Sequence, residues 1–282
     1  DAMIWYEAWK GMKIGLGQGK LPGNRQRIIS SGALEFTDRS IANNAYNLDR
    51  DAGFFAYQSL MIGKIGVNFK TALTSGEGRN AGISDKGLAT TGRIEILPFG
   101  NFTGNNDMTE ADIEVEKKPK LCIAAVAHYN DLAKKTMGQT GAILPTQRYL
   151  HAYMADVLFK YYGFAFSSEY LFRGVNNPFM NYNKQGYFIA GDGLNTQMSY
   201  CFENNTNIAF RYAITRPDSL LANLIPHQKQ YGMCVSKFIN HYKIKIQAEI
   251  QFNEESYRKN GKLINQNIRQ YIAGFLQIEL GI

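Results

Sequence analysis

The residues in this sequence best suited to chemistry are cations set at alternate positions. Lys13, Lys70, Arg93, Lys160, Arg173, Arg211, Lys243 and Lys245 each stand on the polar side of a stretch in which apolar and polar residues alternate. Glu95, Asp156, Glu169 and Glu249 share that side. Such rows do electrostatic work. Arg and Lys lower the energy of a nearby anion and raise that of a cation, and the planar donors of Arg match the paired oxygens of phosphate or carboxylate. Covalent chemistry has no comparable constellation. There is no Gly-Ser elbow and no phosphate loop. His128, His151, His227 and His241 show no metal spacing. Cys122, Cys201 and Cys234 form no Cys-x-x-Cys pair, and an odd number excludes complete internal pairing. They read as small apolar strand residues. The element Gly191-Asp192-Gly193-Leu194-Asn195 lacks the acidic ladder of a calcium loop. No catalytic residue, no metal and no cofactor is expected.

The elements that must position these cations are strands. From Tyr242 to Phe252, the residues Tyr242, Ile244, Ile246, Ala248, Ile250 and Phe252 fall on one face, and Lys243, Lys245, Gln247, Glu249 and Gln251 on the other. A helix would scatter them; a strand sorts them completely. Thirteen strands are predicted, at 2–9, 12–20, 52–60, 65–75, 88–99, 119–129, 149–161, 163–173, 186–202, 207–215, 229–239, 242–253 and 267–282. The phase of 52–60 and of 229–239 is ambiguous. Many of these stretches approach or exceed ten residues, long for a globular sheet but suited to a tilted strand crossing a bilayer.

Composition excludes other classes. The longest apolar run, Leu121 to Ala127, is far too short for a membrane helix. Abundant aromatics (17 Tyr and 17 Phe) argue against disorder, and their place on the apolar faces argues against nucleic-acid binding. Short turns, as at Lys10-Gly11, Met61 to Lys64, Tyr162-Gly163, Asn204 to Thr206 and Asn240-His241, alternate with long polar stretches at 21–51, 76–87, 131–148, 174–185, 216–228 and 254–266. Barrels of the bacterial outer membrane alternate in this way. The exception is 100–118, a long polar segment where a turn is expected, taken as a long periplasmic connection. Lys117-Lys118-Pro119-Lys120 beside it reads as a solvated membrane edge. A Lys or Arg on the lipid face near the midplane costs about 2–4 kcal/mol. The apolar faces carry none, so the charged faces should line water. The fold class expected is all-β: a single transmembrane antiparallel β-barrel over 1–282. Asp1 is no initiator, so the chain is read as processed or partly represented. Even strand counts imply an odd number of strands upstream, for a total of 14 or 16.

Residues 16–53 narrow the class. The segment contains Gly17-Gln18, then Pro22-Gly23, then Glu35-Phe36-Thr37-Asp38-Arg39, and closes with Arg50 and Gly53. It resembles the phosphate-selective porins O and P and related Bacteroidetes-type porins, as does Asp156 to Arg173 with its Tyr-Gly turn. The resemblance implies a homotrimer of 16-stranded channels in the outer membrane of a Gram-negative bacterium, set among lipid and lipopolysaccharide and passing small anionic solutes. It implies that an inward loop, here 21–51, narrows each pore. With that loop after the fifth strand, three strands are missing upstream. The ending Gly281-Ile282 departs from the family's aromatic terminus, as a clipped end or a shifted signal would.

On that loop Arg25, Arg27, Arg39 and Arg50 are the candidate constriction residues. Glu35, Asp38, Asp49 and Asp51 are the carboxylates that would otherwise pair with them. Lys13, Lys70, Arg93, Arg173, Arg211, Lys243 and Lys245 are the candidate pore-lining residues. Passive diffusion with anion preference, possible for phosphate, is the function expected. An accessory barrel of a larger envelope complex, with a plugged lumen, is the alternative. A barrel enzyme would need a nucleophile near His at the rim, and no convincing triad is present.

Overall fold

The computed structural model describes residues 1–81, 87–180, 186–259, 262–263 and 268–281. Thirteen strands form one antiparallel sheet in which every neighbour in sequence is a neighbour in space. They are β1 (Ala2–Trp9), β2 (Met12–Lys20), β3 (Arg50–Ile62), β4 (Ile65–Thr74), β5 (Ala89–Leu97), β6 (Lys120–Lys135), β7 (Ile143–Tyr161), β8 (Phe164–Val175), β9 (Gly191–Cys201), β10 (Thr206–Pro217), β11 (His227–Asn240), β12 (Ile244–Ser256) and β15 (Arg269–Leu280). A two-stranded hairpin, β13 (Arg258–Lys259) and β14 (Lys262–Leu263), lies between the last two. Among the described residues the outer edges of β1 and β15 carry no partner strand.

All thirteen expected strands are present, and their bounds differ for physical reasons. The stretch 131–148, expected as loop, is mostly strand: β6 runs to Lys135 and β7 starts at Ile143. Cross-strand pairing holds those polar residues extended beyond the apolar belt. The expected positions 267 and 282 of the last strand, and parts of the loops at 76–87, 174–185 and 254–266, lie outside the described residues.

Burial runs opposite to that of a soluble protein. On β5 the apolar Ile94 and Ile96 are exposed, while Arg93 and Glu95 between them are buried. Ile4 and Leu276 are each 78% exposed on the same outer surface. The two ambiguous strands obey the same rule. Phe54, Leu60 and Ile62 of β3 point outward, as do Tyr231, Met233 and Val235 of β11. Lys237 also lies on the outer face of β11, beside the β9–β10 turn, and its ammonium donates to the Asn204 carbonyl there. On β7 the outward Tyr153 and Tyr161 are eight residues apart. That is about 26 Å along a strand, or about 20 Å across a bilayer at a barrel's tilt. Toward the long connections the outer surface becomes charged, with Arg216–Asp192 at 2.5 Å and Lys229–Glu254 at 3.0 Å.

The turn between β11 and β12 corrects two expectations. His241 adopts φ +46°, and β12 starts at Ile244 rather than at position 242. The reversal turns the Tyr242 ring inward, against Phe238 at 5.0 Å between ring centroids, instead of toward lipid. Lys243 stands exposed in the turn and not on the inner wall.

Candidate functional site

The inside of the sheet is filled by two inserts. The first is the long β2–β3 connection, with the one-turn helix α1 (Arg25–Ile28), a 3-10 turn at Ser31–Ala33, and α2 (Ile41–Tyr46). Ser40 caps α2, its Oγ accepting from Asn43 N at 3.2 Å. Gln26 Oε1 accepts from Ser40 N and Oγ at 2.9 and 2.7 Å, tying the two helices together. Leu21, Ala42, Tyr46 and Leu48 form an apolar cluster with Phe55, Ala72, Val126, Ala152, Met154 and Leu171 of the inner wall. Two glycines make room. A Cβ on Gly193 would meet Ala42 Cβ at 3.0 Å, and one on Gly232 would meet the Phe36 ring at 3.2 Å. The second insert is the β5–β6 connection, 98–119, which includes a kinked 3-10 segment at Thr103–Met108.

The wall charges hold these inserts instead of facing water. Arg93, Arg173, Arg211 and Lys245 are each 3% exposed or less. Arg93 binds Asp156 through two bonds of 2.6 and 3.1 Å, Glu95 at 2.7 Å, and the Gly23 carbonyl at 3.0 Å. Lys70 meets Glu95 at 2.8 Å. Arg173 donates to the Ala45 and Asn47 carbonyls at 2.9 and 2.7 Å, at the C-terminal end of α2. Arg211 lies 3.8 Å over the Phe36 ring and donates to the Asp38 carbonyl at 3.0 Å. Lys245 reaches the Leu34 carbonyl at 2.8 Å and Glu279 at 3.1 Å. Glu169 accepts from Gln26 N at 3.1 Å, and Glu249 from Thr37 N and Oγ1 at 2.8 and 2.6 Å. Lys13 remains exposed, 3.2 Å from Glu7. Burial forces this pairing, because a desolvated charge without a partner is strongly destabilising.

The four constriction candidates separate into two roles. Arg25 is a buried strut. It meets Asp156 at 2.6 Å, the Asp107 carbonyl at 3.1 Å and Cys122 Sγ at 3.1 Å. Arg27 points elsewhere, since residues two apart on a helix do not share a face. It pairs with Asp49, and Arg50 reaches the same carboxylate at 3.4 Å and Asp1 at 2.5 Å. Arg39 donates to the Gln26 and Ile29 carbonyls, each at 2.9 Å. Lys20, which sequence reasoning missed, completes the group. It pairs in register with Arg50 and donates to the Ile28 and Ile29 carbonyls at 3.0 and 3.1 Å, sharing the latter with Arg39. The available signal was its place as the last residue of β2, opposite the residue that opens β3. Lys20, Arg27, Arg39 and Arg50 thus form a partly exposed cationic cluster with Asp49 inside it. Burial, and then the field of Arg27, hold the Arg39 guanidinium below its ordinary pKa.

The two inserts meet at a pair of carboxyls. Glu110 Oε2 accepts from Glu35 N at 2.7 Å, and Glu110 Oε1 from Gln26 Nε2 at 3.0 Å. Asn207 Nδ2 donates to Glu35 Oε1 at 3.2 Å. Burial, and then Glu110, push the Glu35 carboxyl up to about 7; Lys160 and Asn207 oppose this. A carboxyl with a raised folded value holds its proton more tightly in the folded state. Its contribution is therefore full below about pH 4.5 and is lost as pH rises toward 7. Glu35→Gln is expected to remove that loss. Thermal unfolding in detergent between pH 4 and pH 8 checks it: the wild type should lose stability across this window by a few kcal/mol at most, and the variant should lose less.

Space for solute is uneven. A small cavity between α1, the second insert and strands β7 to β9 offers about 10 Å³, room for about one water. An open vestibule of about 750 Å³ lies on the side facing β15, lined among others by Ser30, Gly32, Asn106, Tyr242 and Glu279. Among the described residues no group of three or more His, Cys, Asp and Glu is placed to hold a metal ion. His128 is a satisfied interior residue, bonded to Thr91 Oγ1 at 2.9 Å and Gln139 Nε2 at 3.1 Å. Cys122, Cys201 and Cys234 are buried and free.

No protein-family model matches the chain, and no curated protein matches it. Among solved structures, that of OprB from Pseudomonas putida, determined at high pH, matches with a TM-score of 0.59 and 9% identity, over 98% of this chain and 71% of that one. OprB is an outer-membrane porin. At that identity the likeness is one of fold: this chain has an all-β, antiparallel fold similar to that of OprB.

Proposed function

We propose that the protein is an outer-membrane porin of a Gram-negative bacterium, a passive channel that prefers anions. One observation carries the preference: the cluster that Lys20, at the end of β2, forms with Arg27, Arg39 and Arg50 of the inward loop. Three of these cations are the constriction candidates expected from the resemblance to the phosphate-selective porins, and phosphate is among the oxyanions that the forked guanidinium donors fit. Low-dielectric walls focus the field of such a cluster on the water beside it. Membership of that family also has the unpaired edges of β1 and β15 joined through three further strands, for a total of sixteen. It has the barrel assembled as a homotrimer among lipid and lipopolysaccharide. In a planar bilayer under a tenfold salt gradient, the reversal potential should favour chloride over potassium. A triple Lys20→Gln, Arg27→Gln, Arg39→Gln variant should lower the anion-to-cation permeability ratio several-fold. Cation preference in the wild type would sink the proposal.

A second reading, an accessory barrel with a plugged lumen, is favoured by one observation. The wall cations Arg93, Arg173, Arg211 and Lys245 are engaged by the inserts and not offered to solute. A folded barrel without measurable conductance would support it.

A further inference from the structure

We propose that the β5–β6 connection, residues 98–119, is a plug, folded into the barrel from the side of the short turns and latched there by Lys160. This goes beyond the porin function and rests on the barrel being a channel.

A connection at this end needs only a few residues, as at Lys10-Gly11 and Tyr162-Gly163. This one has 22, and its middle is interior: Ala111 and Asp112 are fully buried, and Glu110 nearly so. Five oxygens surround the Lys160 ammonium, which is itself fully buried on β7. They are Asn106 O at 2.6 Å, Asn106 Oδ1 at 3.0 Å, Thr109 O at 3.0 Å, Thr109 Oγ1 at 2.9 Å and Ala111 O at 2.7 Å. Asp112 fixes the segment's shape, accepting from Asn106 Nδ2 at 2.7 Å and Glu116 N at 3.1 Å. It also ties the segment to the β7–β8 turn through Gly163 N at 2.8 Å. On the far wall Ala111 and Ile113 pack with Cys201, Phe238 and Tyr242. Tyr242 Oη accepts from Ala111 N at 3.0 Å. The segment therefore reaches from β7 to β11 across the lumen. Its tip meets the inward loop, with Glu110 N donating to Ala33 O at 3.2 Å and Arg25 to Asp107 O at 3.1 Å.

Charge supports insertion. Residues 98–116 hold Asp107, Glu110, Asp112, Glu114 and Glu116 and no Lys or Arg. The chain as a whole carries a net charge of +7. An acidic segment in a lumen of inward cations is attracted there, and while seated it opposes anions at the short-turn mouth. Hydrogen bonds and one ammonium hold it, with no covalent tie, so one side chain can release it.

Single-channel recording on the reconstituted full-length protein tests this with two variants: Lys160→Met, and replacement of residues 101–117 by a short Gly-Ser turn. Folding of each is checked first by heat-modifiable electrophoretic mobility. Both should raise unitary conductance at least threefold, and the replacement should also strengthen anion preference. Equal, measurable conductance in wild type and variants would overturn the plug while leaving the channel intact. No conductance in any of them, with the barrels folded, would overturn both.

Discussion

An Asp156→Ala variant is expected to lose about 3–5 kcal/mol of folding free energy, among the largest effects of any single substitution in the barrel. Asp156 is the shared anion of two buried guanidiniums, Arg25 on the inward loop and Arg93 on the wall. Its removal leaves both desolvated, with Glu95 the nearest remaining carboxylate for Arg93. Among the described residues, the Cys122 thiol and the Asp107 carbonyl then remain as the hydrogen-bond partners of Arg25. Losing one partner of a buried pair costs more than the pair itself contributes, because the orphaned charge has no water to return to. Urea unfolding from vesicles, followed by tryptophan fluorescence, would measure the loss. Double substitution with Arg25→Met should recover part of it, since that removes one of the two stranded charges. A loss below 1 kcal/mol would mean that water reaches the site and screens it.

Arg173→Met is expected to free the second half of the inward loop, at a cost of about 3 kcal/mol. Arg173 is 1% exposed and spends two donors on the carbonyls of Ala45 and Asn47, where α2 ends and its dipole is negative. It also lies 5.9 Å from the Tyr46 ring centroid. Methionine fills the space but donates nothing, so two partly buried carbonyls lose their partner. The readout is local. Limited trypsin digestion of intact vesicles should cut after Arg39 in the variant and spare it in the wild type. Cleavage at equal rates would show that the apolar cluster around Tyr46 and Leu48 alone holds the loop.

Both predictions turn on a difference between what alternation reveals and what it conceals. Ile94 out and Arg93 in is legible in residues 93–96, because a pleated strand puts successive side chains on opposite faces whatever surrounds them. Strand existence, the phase of most strands and the placing of the long and short connections follow from such local rules. Tyr242 escaped because one left-handed residue, His241, resets the phase, and no periodicity announces a reset. Lys20 escaped because its significance lies in Arg50 opposite and in the Ile29 carbonyl it shares with Arg39, partners set by register and by the course of the loop.

The sequence by itself determined the class of molecule. Its period of two, the charge-free apolar faces and the spacing of turns specify an antiparallel barrel with cations on the inner side. It also marked 21–51 as the longest connection and 100–118 as a long connection where a turn was expected. Only the tertiary structure decided what those cations do. Whether an inward Arg faces a solute or a carbonyl depends on what else occupies the lumen, and its occupants come from 131 positions away for Arg25 and Asp156, or 211 for Lys245 and Leu34. Long-range contacts of this kind leave no periodic trace along the chain. The burial of charge they bring about separates wall residues that brace two inserts from the smaller cluster, Lys20, Arg27, Arg39 and Arg50, that stays partly open to water.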